Sequence, residues 1–385
     1  MEKSIFNIAV AIITISIIFS YSLTTYTTLY FGYSQYHFFI RELLFGIIAI
    51  WIMWFVARLN PIHINKLGLG LFFIFFLLML IMNFLPSSFV SAVGGAKRWI
   101  KFPLFSIAPV EFFKIGFVFF LAWSFSRKFQ ENRPHKLIYE IKLITPYLAI
   151  FFIAAISIAI FQNDIGQITV LGLTLSFLLV FAGRSLKLFF ILISLAATLF
   201  IIFVSISEHR IKRIKMWWAG AQNYLLSFMP QWMAQELKLN DTQESYQIAN
   251  SLHAIHNGGI LGQGIGNGEL KLGFLSDVHT DFVLAGVCEE IGFLGLSLLM
   301  GLYILLLHRL FKLANRTSNK TAYLFNVGVA MLIGFSLLIN AFGISSITPI
   351  KGIAVPMLSY GGSSMIATAL ALGMVMMINK KEIDK

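Results

Sequence analysis

The 385-residue chain is 58% apolar and only 12% charged, and 39 of its residues are phenylalanine. Those proportions exclude an ordinary soluble domain. The net charge of +12 falls mostly in short segments between apolar runs, which gives little support to nucleic-acid binding, and no nucleic-acid partner is expected.

A hydrocarbon core of ~30 Å needs about twenty apolar residues to be crossed by a helix. Ten such runs occur, near residues 5–24, 39–57, 67–85, 106–125, 144–161, 166–183, 188–207, 282–307, 322–344 and 363–379. Each is predicted to be helical, because backbone polar groups in lipid find partners only within a helix or a closed barrel. The chain therefore reads as an all-α polytopic membrane protein: ten transmembrane helices in a single domain over 1–385, with one large structured outer loop, 208–281, between spans seven and eight. Met-Glu-Lys-Ser leads into the first run without a small-residue cleavage site, so that run is expected to stay as an anchor. The single cysteine, Cys288, lies in the eighth run and has no partner for an intramolecular disulfide. No internal repeat suggests an inverted-repeat transporter.

Lys and Arg in short loops set the orientation. With the N-terminus inside, seventeen fall in cytoplasmic segments, against five (Arg41, Lys97, Arg98, Lys101 and Lys351) in short outer loops. Both termini are thus expected in the cytoplasm of a cell whose inner membrane holds the chain. The long outer loop, exempt from that rule, opens with HRIKRIKMWW. Trp217, Trp218, Tyr224, Phe228 and Trp232 amid positive charge suit a helix in the headgroup layer, by simple aromatic anchoring or in contact with a substrate. Its second half, through Asp281, is studded with glycines. GQGIGN there has no preceding strand and is not a dinucleotide loop; the glycines suit tight turns over a polar ligand.

Asp281 is the strongest candidate for chemistry. As the residue before the eighth run it has an ordinary role as helix N-cap, worth ~1 kcal/mol. A carboxylate at the edge of low dielectric is also suited to act as a general base, and His279 and Thr280 give it polar neighbours. Glu111 and Lys114, three apart on one helical face, read either as a structural ion pair or as the lining of a polar cavity into which Arg98 and Lys101 also point. Arg and Lys gathered there suit a pyrophosphate. Asp164 is expected to cap the sixth span. Glu289 and Glu290 are intramembrane carboxylates needing partners, in a structural network or a proton relay. Lys351, Ser359, Tyr360, Ser363 and Ser364 form the last polar group.

Five stretches carry a family resemblance: GGAKRW…APVEFFK, NDIGQ, YQIANSLHAI…GGILGQGIGNG, FLSDVHTDFVLAGVCEEIGFLG and KGIAVPMLSYGGSS. In this order, on ten apolar runs, the chain resembles the SEDS (shape, elongation, division and sporulation) family. GQGIGNG and KGIAVPMLSYGGSS are more similar to its division branch than to its elongation branch. NDIGQ departs from the usual Pro-Asp-Leu/Phe-Gly-Thr, and 219–239 looks like an insertion.

The resemblance implies a peptidoglycan glycosyltransferase that polymerises lipid II, a disaccharide-peptide on undecaprenyl pyrophosphate, at the outer face of the inner membrane, for septal wall synthesis in division. By that resemblance Asp281 is the catalytic base. The expected substrate-binding residues are Arg98, Lys101, Glu111, Lys114, His279, Thr280, Lys351, Ser359 and Ser363. Arg98, Lys101 and Lys114 stabilise the pyrophosphate, and Glu111 positions Lys114. A divalent cation (Mg or Mn) is a candidate cofactor, although no metal-site spacing is visible. Expected partners are a class B penicillin-binding protein transpeptidase, other division or elongation proteins, and membrane lipid. A lipid II flippase and a non-catalytic scaffold for the transpeptidase are the competing readings.

Overall fold

The computed structural model describes residues 2–86, 88–93, 96–102, 105–129, 136–206, 208–239 and 246–380. Fourteen helices follow in chain order among them: α1 Glu2–Leu23, α2 Thr25–Tyr30, α3 His37–Arg58, α4 Ile64–Ile81, α5 Pro109–Lys128, α6 Leu137–Ser157, α7 Ile165–Phe181, α8 Leu186–Ser205, α9 Glu208–Leu226, α10 Gln231–Leu237, α11 Tyr246–Gly258, α12 Val283–Ala314, α13 Lys320–Ile344 and α14 Gly362–Ile378. Every predicted apolar run falls on one of them. Eight helical stretches are long and apolar enough to cross a membrane; α7 and α14 are shorter, at 17 residues each.

Local chemistry fixes several ends. Pro109 opens α5 at a position where no N–H is needed. Ser185 caps α8, and Asn319 caps α13 by accepting from the N–H groups of Thr321 and Ala322. Among those eight stretches, α5 and α13 are the most enclosed and α8 the least. Phe72 of α4 stacks on Phe120 of α5 with ring centres 4.5 Å apart, and Phe113 and Phe117 lie beside it. The second span carries a carboxylate that its hydropathy conceals. Glu42 in α3 is fully buried and accepts a hydrogen bond from Ser16 of α1 at 2.9 Å.

The all-α expectation fails between α4 and α5. Residues there form a small antiparallel sheet of β1 Val90–Val93, β2 Ala96–Lys101 and β3 Ser106–Ile107, in that order. Val90 pairs with Ile100 and Ile100 with Ile107, and Val90, Ile100 and Met82 make their own small core. Buried Ile100 between the less buried Trp99 and Lys101 is a strand pattern, hidden within a loop read mainly for its charge. Gly94, Gly95 and Pro103 of that stretch lie outside the described residues.

The 208–281 segment is mostly helical. Gln222 of α9 makes two hydrogen bonds with the backbone of Leu239, and Trp218 donates to the carbonyl of Leu237, so α10 and its tail fold back along α9. Trp217 donates to the carbonyl of Ser346 beyond α13. Trp232 stays 65% exposed, as an anchoring role requires, and Phe228 is exposed too; the Tyr224 side chain lies outside the description.

Helix α12 differs most from its predicted form. It runs 32 residues but breaks at Gly292, whose φ is 69°. The glycine loop after α11 splices the break. Phe293 and Leu294 donate to the carbonyls of Gly259 and Ile260, while Gln263 and Gly264 donate to those of Glu289 and Glu290. Gly262 and Gly292 meet there backbone to backbone, and an added methyl at Gly262 would lie 2.3 Å from the Glu290 carbonyl. The two glutamates just above the break hold the same loop. Glu289 accepts from the N–H groups of Glu269 and Leu270 and from the Asn257 amide. Glu290 pairs with Lys271 at 2.7 Å, accepts from Gly266 N–H at 3.1 Å and bonds Ser22 of α1. They form a structural network, the first of the two roles open to them from the sequence.

Candidate active site

Asp281 sits at the end of a tight turn. Asp277, in the left-handed region at φ 54°, offers its carbonyl to the N–H groups of Thr280, Asp281 and Phe282. The helix starts two residues after Asp281, its N-cap is Phe282, and no side chain caps it. The capping role is therefore not the one the structure gives Asp281. Its main chain is held instead: Asn340 of α13, buried, donates to the carbonyls of Asp281 at 2.6 Å and Ile353 at 2.8 Å. Gly352 lies directly against the carboxylate, and a methyl group added there would be 2.7 Å from Oδ2. No described residue donates a hydrogen bond to that carboxylate.

Burial, followed by the nearby charges of Asp277 and Asp164, raises the Asp281 pKa to about 6, against a smaller opposing effect from Arg98. Gly352→Ala should lower turnover with the protein still folded, because the methyl displaces the carboxylate or the loop by a fraction of an ångström. Full activity of the purified variant would show that the approach is incidental.

Asp164 caps α7 as expected, accepting from Gln167 N–H at 3.1 Å. Arg98 approaches its other oxygen at 3.9 Å and donates to the carbonyls of Gln162 and Asn163, at 2.8 and 3.1 Å. Burial raises the Asp164 pKa in spite of Arg98. Arg98 is the extra residue where the β1–β2 register shifts, and such a bulge re-aims a side chain. Lys101 does not join it. It is exposed, on the opposite face of β2 from buried Ile100, so the expected convergence of Arg98 and Lys101 is corrected.

Glu111 and Lys114 form an ion pair at 3.0 Å, and Gln167 donates to Glu111 at 3.0 Å. The pair lines a narrow cavity with Ser336, Pro356, Ser364 and Thr368. The Asp164–Gln167 turn thus links this cavity to Arg98 and Asp281. Lys114→Ala should impair turnover while the protein still accumulates; failure to accumulate would make the pair purely structural.

Three other predicted residues hold the fold. Ser359 is buried, donates to the Thr280 carbonyl at 2.6 Å and accepts from Val355 N–H at 2.8 Å. Ser363 accepts from Ala108 N–H at 3.1 Å. Thr280 donates to the Asp277 carbonyl. The His279 carbonyl accepts from Tyr360 N–H, and its ring lies beside those of Phe38 and Tyr360. Its Nδ1 is buried without a partner among the described residues, and burial lowers its pKa. Lys351 is half-buried, its ammonium 5.2 Å from the Phe200 ring centre.

Asn340, Gly352 and Asp277 were not singled out from the sequence. Asn340 in the middle of an apolar run was the available signal. Among the described residues no three His, Cys, Asp or Glu side chains converge as metal ligands. The charges of Asp277 and Asp164 reach Asp281 without the three forming such a set.

The model of the FtsW/RodA/SpoVE cell cycle protein family matches residues 2–383. This chain belongs to that family. It is 48% identical over 377 residues to the "Probable peptidoglycan glycosyltransferase FtsW" of Helicobacter pylori strain J99, covering 97% of both chains. To the protein of the same name from Coxiella burnetii it is 32% identical, over 90% of this chain and 87% of that one. Two solved structures share the fold. A chain described under "Structural coordination of polymerization and crosslinking by a peptidoglycan synthase complex" has a TM-score of 0.72 at 22% identity, covering 99% of this chain and 98% of that one. Thermus thermophilus RodA has a TM-score of 0.63 at 21% identity, covering 98% and 96%. The FtsW/RodA/SpoVE chain described here is thus a multi-pass, mostly helical membrane protein.

Proposed function

We propose that this chain is an inverting peptidoglycan glycosyltransferase that polymerises lipid II, with Asp281 as its general base. The observation that carries the assignment is the Asp281 carboxylate itself: half-buried, held by its main chain, without a donor among the described residues, and with its pKa raised by burial to about 6. A base with a pKa near the working pH is both ionised and basic enough to act. Asp281 takes the proton of the acceptor sugar hydroxyl as that oxygen bonds to the anomeric carbon of the donor. The bond from that carbon to the lipid pyrophosphate breaks on the opposite face, giving inversion. Arg98, with a side chain 30% exposed, supplies positive charge toward the departing pyrophosphate, and Glu111 and Lys114 shape the adjoining cavity.

In the same reading α7 and α14 also cross the bilayer, giving ten spans with both termini in the cytoplasm and 208–281 outside. A helix of 17 residues is ~26 Å long, at the short end of what spans. The division septum and a class B penicillin-binding protein transpeptidase are the proposed place and partner. A flippase needs a polar path through the bundle, and Glu289 and Glu290 are engaged by the glycine loop instead.

Purified protein in detergent with labelled lipid II tests the assignment, because transport has no meaning without a bilayer. Glycan ladders are expected; their absence with and without a transpeptidase partner would leave the flippase and scaffold readings. The pH profile adds a second check. Asp281 must be ionised, so the rate should rise through about pH 6 and level off above it. The charge of Asp277 contributes to that elevation, so Asp277→Asn should move the acid limb to lower pH, and an unmoved limb would detach it from Asp281. Asn suits the left-handed backbone at 277.

A further inference from the structure

The cations considered so far are largely committed. Lys114 is paired with Glu111, and Arg98 serves two carbonyls and Asp164. Lys351 is different. It is half-buried, and no described carboxylate lies within ion-pair distance of it. It adjoins Gly352, which lies against the Asp281 carboxylate, so it stands close to the same group.

Helix α9 brings a second cation to it. The start of α9 is fixed by Arg210, which donates to the carbonyl of Phe203 at 2.9 Å with its guanidinium 3.6 Å over that residue's ring. Two turns later Trp217 donates to the carbonyl of Ser346 at 2.9 Å. Arg213 lies between these anchors, one turn before Trp217 and on the same face, toward the segment that leads from Ser346 to Lys351. The Lys351 ammonium rests near Phe200, one turn from the Phe203 that Arg210 covers. Burial and then the Arg213 guanidinium lower the Lys351 pKa, with Asp164 a weaker opposing influence. Two cations near enough to repel each other, with no described carboxylate within ion-pair distance of either, leave a place for an anion.

We propose that Lys351 and Arg213 form an anion subsite for the phosphoryl head of a lipid-linked substrate, beside Asp281. The identity of that lipid rests on the glycosyltransferase reading. Joining two lipid-linked sugars brings two pyrophosphates to one base, one leaving and one retained, and Arg98 accounts for one of them. The planar guanidinium of Arg213 offers paired donors and Lys351 a point charge, a combination that fits a pyrophosphate.

The test uses full-length protein in detergent, carrying Asp281→Asn to prevent turnover, and measures binding of undecaprenyl pyrophosphate and, separately, of phosphatidylglycerol. Lys351→Gln with Arg213→Gln should weaken undecaprenyl pyrophosphate binding by about tenfold or more, as loss of charge-assisted hydrogen bonds implies. Phosphatidylglycerol binding should be unchanged. Lys351→Arg should retain the affinity, and Lys212→Gln, an exposed charge on the same helix, should have no effect. Arg213→Gln alone alters only an exposed side chain, so it keeps the test open if the double variant fails to fold. Unchanged undecaprenyl pyrophosphate binding overturns the subsite. Equal loss for both lipids also overturns it, in favour of a general headgroup contact. Charge-dependent binding by a protein whose wild type makes no glycan ladders keeps the subsite and removes the glycosyltransferase reading.

Discussion

Asp281→Asn is expected to give a folded, membrane-inserted protein whose lipid II polymerisation falls by about 10²–10⁴-fold, the usual contribution of a positioned general base. The substitution isolates chemistry from structure unusually well. It preserves size, and no described residue donates to the carboxylate, so no hydrogen bond is broken. The contacts that fix residue 281 run through its backbone: the Asn340 amide to its carbonyl and its own N–H to Asp277. Elution profile and thermal unfolding in detergent should match the wild type while ladders disappear. A variant that polymerises fully would return Asp281 to a purely structural role.

Lys271→Met is expected to cost stability rather than chemistry. Lys271 and Glu290 side chains are 3% and 0% exposed, and the ammonium also donates to Ser22 and to the Gly266 carbonyl. Removing one partner of a buried pair strands the other charge, a loss of roughly 3–5 kcal/mol. Protein should fail to accumulate or should unfold well below the wild-type temperature. Lys271→Met combined with Glu290→Gln should recover much of the loss, because the stranded charge is gone. An unchanged unfolding temperature for the single variant would mean that Glu290 finds another partner.

The helices were legible in the sequence because lipid imposes one demand on every span, and hydropathy reports it. Asp281 was legible as a carboxylate at the mouth of an apolar run. What escaped depends on contacts between residues far apart in the chain. Asn340 reaches the 281 carbonyl across 59 positions, and Gly352 meets the same carboxylate from another loop. Ser359 and Ser363 looked like ligands because they are polar and near the outer surface, yet the fold employs them to tie segments together. Lys101 parts from Arg98 because it ends its strand in solvent while the bulge re-aims Arg98, a pairing detail that the run of charges does not reveal. Glu42 passed unseen because one acid hardly alters the mean hydropathy of a 22-residue span. Gly292 looked like one more small residue in a continuous helix.

That interruption bears on how relatives can be recombined. The carbonyls of residues 259 and 260 begin the lower part of α12, and the N–H groups of residues 263 and 264 finish its upper part. The outer segment and the helix after it are one hydrogen-bonded object divided by sequence order. A chimera that exchanges only 208–281 would join halves of two different seams, whereas a graft carried through Leu294 transplants the seam whole.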